Sequence, residues 1–349
     1  MDNKRRSAPV SLIQIAQEAQ VSPATVSRAF NRPALVQAST LERIMAIAER
    51  HGFRPNRLGS SLRSGSTRTL GLVLPTLSNP VFADCFEGAE MRARASGYSV
   101  MMTVAHYDPE QEADAVQRLI DHQLDGIILT VANPQQSTVL KTLKARDVRY
   151  VLAYNESNAH PCSAVDNHAA ASDMIEHLAQ LGHRRIAFIS GPLSMSDRAA
   201  ARLSGARNQA RTLGLSLVRH HLMPSHTQAD TAVLQQILGT KSPPTALFCS
   251  NDLLATAVIV SLRELGYDVP QDISVAGFDG IRYGAVMSPS LTTIEAAGYE
   301  IGKTACHLLL EQIEHQPLRS QQVPHTLITG ASAAPLLTMR RQPVTSKRI

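Results

Sequence analysis

The chain has 349 residues, 34 Lys and Arg against 29 Asp and Glu, and 44% hydrophobic residues. This length implies more than one domain, and the apolar content is ample for packed cores. No run of about 18 apolar residues occurs, so no membrane span is expected, and the basic N-terminus MDNKRRSAPVS lacks the apolar stretch of a signal peptide. Charge is unevenly spread. Residues 1–68 hold eleven Lys/Arg and four Asp/Glu, residues 69–334 nineteen and twenty-five, and residues 335–349 four and none. The basic excess therefore belongs to a small N-terminal module and a short tail, as expected if the module neutralises phosphates. Cys85, Cys162, Cys249 and Cys306 are far apart and form no CxxC pair, so they read as reduced thiols of a cytoplasmic protein.

The first predicted helix carries Leu12, Ile15, Ala16 and Ala19 at i, i+3, i+4 and i+7, with Ser11 as its cap. Gln20 and Val21 make a turn. Ser22 caps a second helix with Pro23 at its first position, where a missing N–H costs nothing. That helix turns Val26, Ala29 and Phe30 inward and exposes Pro23, Ala24, Thr25, Ser27, Arg28 and Asn31. This pattern reads either as an ordinary αα-hairpin or as a helix-turn-helix, whose second helix enters the DNA major groove, and the basic excess of the segment favours the second. A third helix follows from Leu41, with Ile44, Ile47 and Ala48 on one face and Gly52 as its stop. Residues 1–53 thus form an all-α headpiece. Residues 54–69 are basic and rich in Gly and Ser, a linker by composition.

From Leu70 the pattern changes. Apolar strands are predicted at 70–75, 98–105, 126–131, 150–155, 185–190, 245–251 and 274–279. Helices separate them at about 80–96, 109–122, 135–146, 167–182, 196–213, 228–238, 252–265 and 298–314. Continuous apolar strands alternating with helices indicate parallel, doubly wound sheets covered on both faces. So many units require two lobes, with ligands expected beyond the carboxyl ends of the strands. His220 and His221 are read as loop residues, and Asp252 as the cap of the helix it opens.

Nine motifs in order carry a family resemblance: VSPATVSRAFN (21–31), GFRPNRLGSSL (52–62), SNPVFAD (78–84), DGIIL (125–129), GHRRIAFISGP (182–192), RLSG (202–205), SNDLLA (250–255), ISVAGFD (273–279) and SLTTI (290–294). Over nearly its whole length the chain resembles the lactose/galactose-repressor family of bacterial regulators. The resemblance implies a headpiece at 1–53, a hinge at 54–69, a two-lobed periplasmic-binding-protein-like effector domain at 70–338, and a basic tail at 339–349. The N-lobe would comprise about 70–166 and 297–324, the C-lobe about 167–292 and 325–338.

It also implies partners: double-stranded operator DNA, a small polar effector (a sugar or sugar derivative), and a second copy of the chain, in homodimers or tetramers. Thr25, Ser27 and Arg28 match operator contacts, Pro23 and Ala24 match the positions that set operator choice, and Leu62 matches a minor-groove wedge. Ser22, Asn31 and Asn56 join the DNA-facing set. Arg28 is the candidate for guanine readout, because Pro23 and Ala24 offer only apolar contacts. Arg202, Asn251 and Asp279 match the polar triad of the effector cleft, with Asn79 and Phe82 facing them. If Arg198, one turn before Arg202, also faces the cleft, an anionic effector such as a sugar acid or phosphate follows. No catalytic motif, metal-ligand spacing or cofactor loop occurs, so no enzyme activity is expected. An activator with the same parts, or an exported solute-binding protein, are the competing readings.

Overall fold

The structure, a computed structural model, describes residues 10–31, 33–53, 66–216 and 218–336. It divides into two compact units, one ending at Thr67 and one beginning at Arg68.

The first unit contains α1 (Leu12–Glu18), α2 (Pro23–Asn31), a 3-10 turn (Pro33–Leu35) and α3 (Ala38–Arg50). Ser11 and Gln14 form a reciprocal capping box, with the Gln14 N–H on Ser11 Oγ at 3.3 Å and the Ser11 N–H on Gln14 Oε1 at 2.7 Å. Such caps stabilise a helix by about 1 kcal/mol. Gln20 takes the left-handed conformation that turns the chain between the helices. Ile15, Ala16, Ala19, Val26, Ala29, Ile44 and Ile47 bury together, closed by the edge-to-face pair Phe30–Phe53 at 5.7 Å. The third helix starts three residues before Leu41, because Ser39 and Thr40 are tolerated in a first turn that tertiary packing holds.

In the second unit, six strands form one parallel sheet: β1 (Thr69–Leu74), β2 (Ser99–Val104), β3 (Gly126–Leu129), β4 (Tyr150–Ala153), β5 (Cys162–Ala164) and β11 (Gln321–Gln322). Their order is β11-β5-β4-β3-β1-β2. Four strands form a second parallel sheet: β6 (Ile186–Ser190), β7 (Arg219–Leu222), β8 (Ala246–Cys249) and β9 (Ser274–Ala276), ordered β7-β6-β8-β9. The first sheet with its helices is the N-lobe, the second the C-lobe. An antiparallel pair, β10 (Thr293–Glu295) with β12 (Thr326–Ile328), completes the unit. β1 begins at Thr69, one residue inside the segment read as linker.

The sequence pattern misses β5, β7, β10, β11 and β12, and places His220 and His221 in a loop. They lie on β7 instead. There His220 hydrogen-bonds with Ser190 Oγ at 2.8 Å and packs on Phe188, and His221 takes the opposite face. All four cysteines are buried free thiols. Burial pushes Cys85 and Cys306 up to about 12, which leaves them unreactive.

The helices Pro80–Ala95 and Gly298–Ile313 meet backbone to backbone in the N-lobe. A side chain on Gly88 would collide with the Tyr299 carbonyl, and one on Gly302 with the Cys85 carbonyl. Only glycine permits this approach.

Candidate functional site

On α2, Ser22, Pro23, Ala24 and Arg28 are exposed and Thr25 and Ser27 half-buried. Ser22 caps the helix as expected: its Oγ accepts the Thr25 N–H at 3.2 Å and meets Thr25 Oγ1 at 2.9 Å. One end of the helix thus presents two small apolar side chains, two hydroxyls and a guanidinium. Asn31 closes α2. Its side chain, and the whole of Asn56 and Leu62, lie outside the described residues.

The cleft between the lobes is built from the carboxyl ends of both sheets. Asn79 and Phe82 follow β1, Tyr107 follows β2, Arg198 and Arg202 follow β6, His226 follows β7, Ser250 and Asn251 follow β8, and Asp279 follows β9. Asn79, Phe82, Arg202, Asn251 and Asp279, the five expected cleft residues, are brought together here and all are buried.

Arg202 is held on every side. Its Nε donates to Asn167 Oδ1 at 2.9 Å and its Nη1 to the Ser250 carbonyl at 2.5 Å. The guanidinium lies 3.5 Å over the Phe278 ring and 3.7 Å from Asp279 Oδ1. Burial lowers its pKa to about 10, so it stays charged at neutral pH. Asp279 sits at φ 122°, a strained conformation for a side-chain-bearing residue. Burial raises its pKa, and Arg202 and Asn79 oppose that.

The lobes are latched across this cleft. Asn79 Nδ2 donates to Asp279 Oδ2 at 2.6 Å, and the Asp197 N–H to the Ala132 carbonyl at 2.9 Å. Asn155 Nδ2 donates to Asp197 Oδ1 at 2.8 Å, and Arg198 Nη1 to the Val131 carbonyl at 3.1 Å. At about 1 kcal/mol net for each bond, the latch amounts to a few kcal/mol. The closed cleft retains about 30 Å³, room for a few waters at most. A metabolite-sized ligand fits there only with the latch open.

Two buried polar atoms of cleft-lining residues have no hydrogen-bond partner among the described residues: His226 Nε2 and Ser250 Oγ. Burial and Arg198 lower the His226 pKa to about 4, so the ring is neutral. It lies 5.4 Å from Tyr107 across the cleft. Sequence reasoning missed both residues. His226 follows β7, whose polar RHHL sequence gave no strand signal, so the carboxyl-end rule had nothing to act on.

One expectation needs correction. The cap of the helix Asp252–Glu264 is Asn251, not Asp252: Asn251 Oδ1 accepts the Leu254 N–H at 2.9 Å. The Asn251 amide also donates to the His226 carbonyl at 2.7 Å, so it anchors the His226 loop. Asp252 is instead buried, accepting from the Ile281 N–H at 2.9 Å and Thr293 Oγ1 at 2.6 Å. Arg198 does line the cleft, but Asp197 neutralises it at 3.0 Å as Asp279 does Arg202.

Burial, and after it the charge of Asp279, raises Asp252 from 3.8 to about 7. Below the unfolded value both states hold the proton. As pH rises toward the folded value only the folded state does, so this group's stabilising contribution falls by up to about 1.4 kcal/mol per pH unit. Asp252→Asn is expected to flatten the stability profile between about pH 4 and 7, measured by urea unfolding. A profile identical to wild type would refute the assignment.

Residues 11–56 match the family described as bacterial regulatory proteins, lacI family, and residues 175–333 match the periplasmic binding protein-like domain. Catabolite control protein A of Priestia megaterium is 30% identical over 324 residues, covering 91% of this chain and 97% of the relative. The HTH-type transcriptional repressor CytR of Escherichia coli is 30% identical over 325 residues, covering 92% and 94%. The lac repressor dimer bound to operator and the anti-inducer ONPF superposes with a TM-score of 0.84 at 26% identity, covering 94% and 100%. A lacI-type headpiece followed by a periplasmic binding protein-like domain, matched over more than nine-tenths of the chain by such relatives, makes this chain a member of the lacI family of bacterial regulatory proteins.

Proposed function

We propose that the protein is a sequence-specific transcriptional repressor, acting as a cytoplasmic homodimer, whose operator affinity is set by a small neutral polyhydroxyl ligand bound between the lobes. Repression is favoured over activation because CytR carries that activity in its name. The observation that carries the ligand reading is the pair of unpartnered buried atoms, His226 Nε2 and Ser250 Oγ. Buried polar groups are rarely left unpaired, and hydroxyls, which both donate and accept, suit an imidazole nitrogen and a serine oxygen alike. Asp279 and Asn79 would exchange their mutual hydrogen bond for bonds to the same ligand. The internally paired arginines favour an uncharged sugar over a sugar phosphate here. Tyr283 and Val286, 67% and 82% exposed on the short helix Arg282–Val286, suit contact with a second copy. On the headpiece, Arg28, Thr25 and Ser27 would meet the operator with Ser22, Pro23, Ala24, Asn31 and Asn56 beside them, and Leu62 would wedge the minor groove.

The test is a calorimetric titration of a neutral carbohydrate panel into the full chain, followed by operator titrations with and without the binder. His226→Ala and Ser250→Ala are each expected to weaken the sugar about tenfold, the cost of one buried hydrogen bond. Operator affinity without sugar should be unchanged. A sugar that binds wild type and both variants alike occupies another site, and the reading fails. The coupling is reciprocal, so operator must change sugar affinity by the same factor that sugar changes operator affinity.

A further inference from the structure

A second concavity lies at the opposite pole of the C-lobe, at the amino ends of its strands. It encloses about 360 Å³. Arg185 immediately precedes β6, Arg219 opens β7, and Lys241 lies in the turn between the helix Thr231–Leu238 and β8. All three line the cavity and are exposed. No acidic residue lines it, and none of the three forms an ion pair among the described residues. The absence of acids is notable because residues 69–334 hold more Asp and Glu than Lys and Arg. A solvated face in such a segment would carry both signs.

One of the three cations is held in place. Arg185 Nε donates to the Pro243 carbonyl at 2.8 Å, which fixes the guanidinium plane against the 240–244 turn. Arg219 and His221 alternate onto one face of β7, so both project to the same side. Burial lowers the His221 pKa, leaving a neutral ring at neutral pH that can donate or accept. Ser216, Thr240 and Ser242 add hydroxyls, and Ile186, Ala187 and Ile237 form an apolar floor.

We propose that this cavity is a second small-molecule site, which takes a phosphate ester: the dianion against Arg185, Arg219 and Lys241, the organic body on the apolar floor. Guanidinium forks match phosphate oxygens in pairs, and a lysine adds a point charge. The cleft, whose arginines are already neutralised, selects an uncharged ligand, so the two sites take different chemistry. The volume suits a metabolite-sized ligand.

The experiment titrates phenyl phosphate, with phenol as control, into the full chain in about 0.15 M salt, where non-specific attraction is screened. Wild type is expected to bind one phenyl phosphate per chain and to ignore phenol. The triple variant Arg185→Gln/Arg219→Gln/Lys241→Gln should bind at least about thirtyfold more weakly. All three side chains are exposed, so its melting temperature should match wild type. His226→Ala should bind phenyl phosphate like wild type, which separates this site from the cleft. Absence of binding by wild type overturns the proposal, and so does undiminished binding by the triple variant.

Discussion

Arg202→Ala is expected to cost the effector domain about 3–5 kcal/mol, a large share of the stability of an ordinary domain. The reason is asymmetry. The Arg202 guanidinium and the Asp279 carboxylate are each nearly inaccessible and 3.7 Å apart. Together they offset one another's desolvation. Truncating the arginine leaves Asp279 buried without its cation, strips the Ser250 carbonyl and Asn167 Oδ1 of their donor, and empties the space over Phe278. The double variant Arg202→Met/Asp279→Asn should recover most of the loss, since a buried pair can be replaced by matched neutral groups at little cost. Urea unfolding of wild type, single and double variants measures this. A single variant within about 1 kcal/mol of wild type would mean the pair is far better solvated than its burial implies. Neither variant should respond to sugar.

Operator binding is expected to fall at least about a thousandfold between 50 and 200 mM salt. Residues 1–68 carry eleven cations and four acids per chain, and a dimer presents two such modules. Six to ten phosphate contacts are a modest demand on that number, and each releases roughly one counterion. Arg28→Ala should add a different signature: a loss of about 1–3 kcal/mol confined to the cognate sequence, with specificity relaxed at one base pair. Fluorescence anisotropy with cognate and scrambled duplexes separates the two effects. Equal loss on both duplexes would make Arg28 a phosphate contact rather than a base reader.

The headpiece was almost fully legible because every device in it is local. A 3.6-residue apolar stripe, a capping serine and a Pro at the first helical position lie within a few residues of each other, and the structure reproduces them at Ser11, Ser22 and Pro23. The central strands were legible for the same reason: β1, β3, β4, β6 and β8 are apolar almost throughout. The missed strands are two to four residues long and several are polar. Their positions are dictated by backbone hydrogen bonds to neighbours distant in sequence, such as Gln321 beside Ser163. The exchange of roles between Asn251 and Asp252 has a similar origin. Both residue types cap helices equally well, and what decides is Thr293, some forty residues away, which claims the Asp252 carboxylate. Five cleft residues were found through their motifs, whereas His226 and Ser250 became visible only once their burial without partners was known.

The glycine contact between the helices Pro80–Ala95 and Gly298–Ile313 has a consequence for how the protein is made. The N-lobe's first strand is synthesised early, yet its helix partner and its edge strand β11 arrive only after the entire second sheet has left the ribosome. Until then Val81, Cys85 and Ala89, which that late helix helps to cover, have no permanent neighbour on that side. Nascent chains of this protein therefore carry an unfinished, adhesive face through most of translation, and it closes only when residues near 322 emerge. The backbone-to-backbone fit that joins the first and last helices of the lobe thus ties its completion to the end of synthesis, and expression yield is expected to rise with added chaperone.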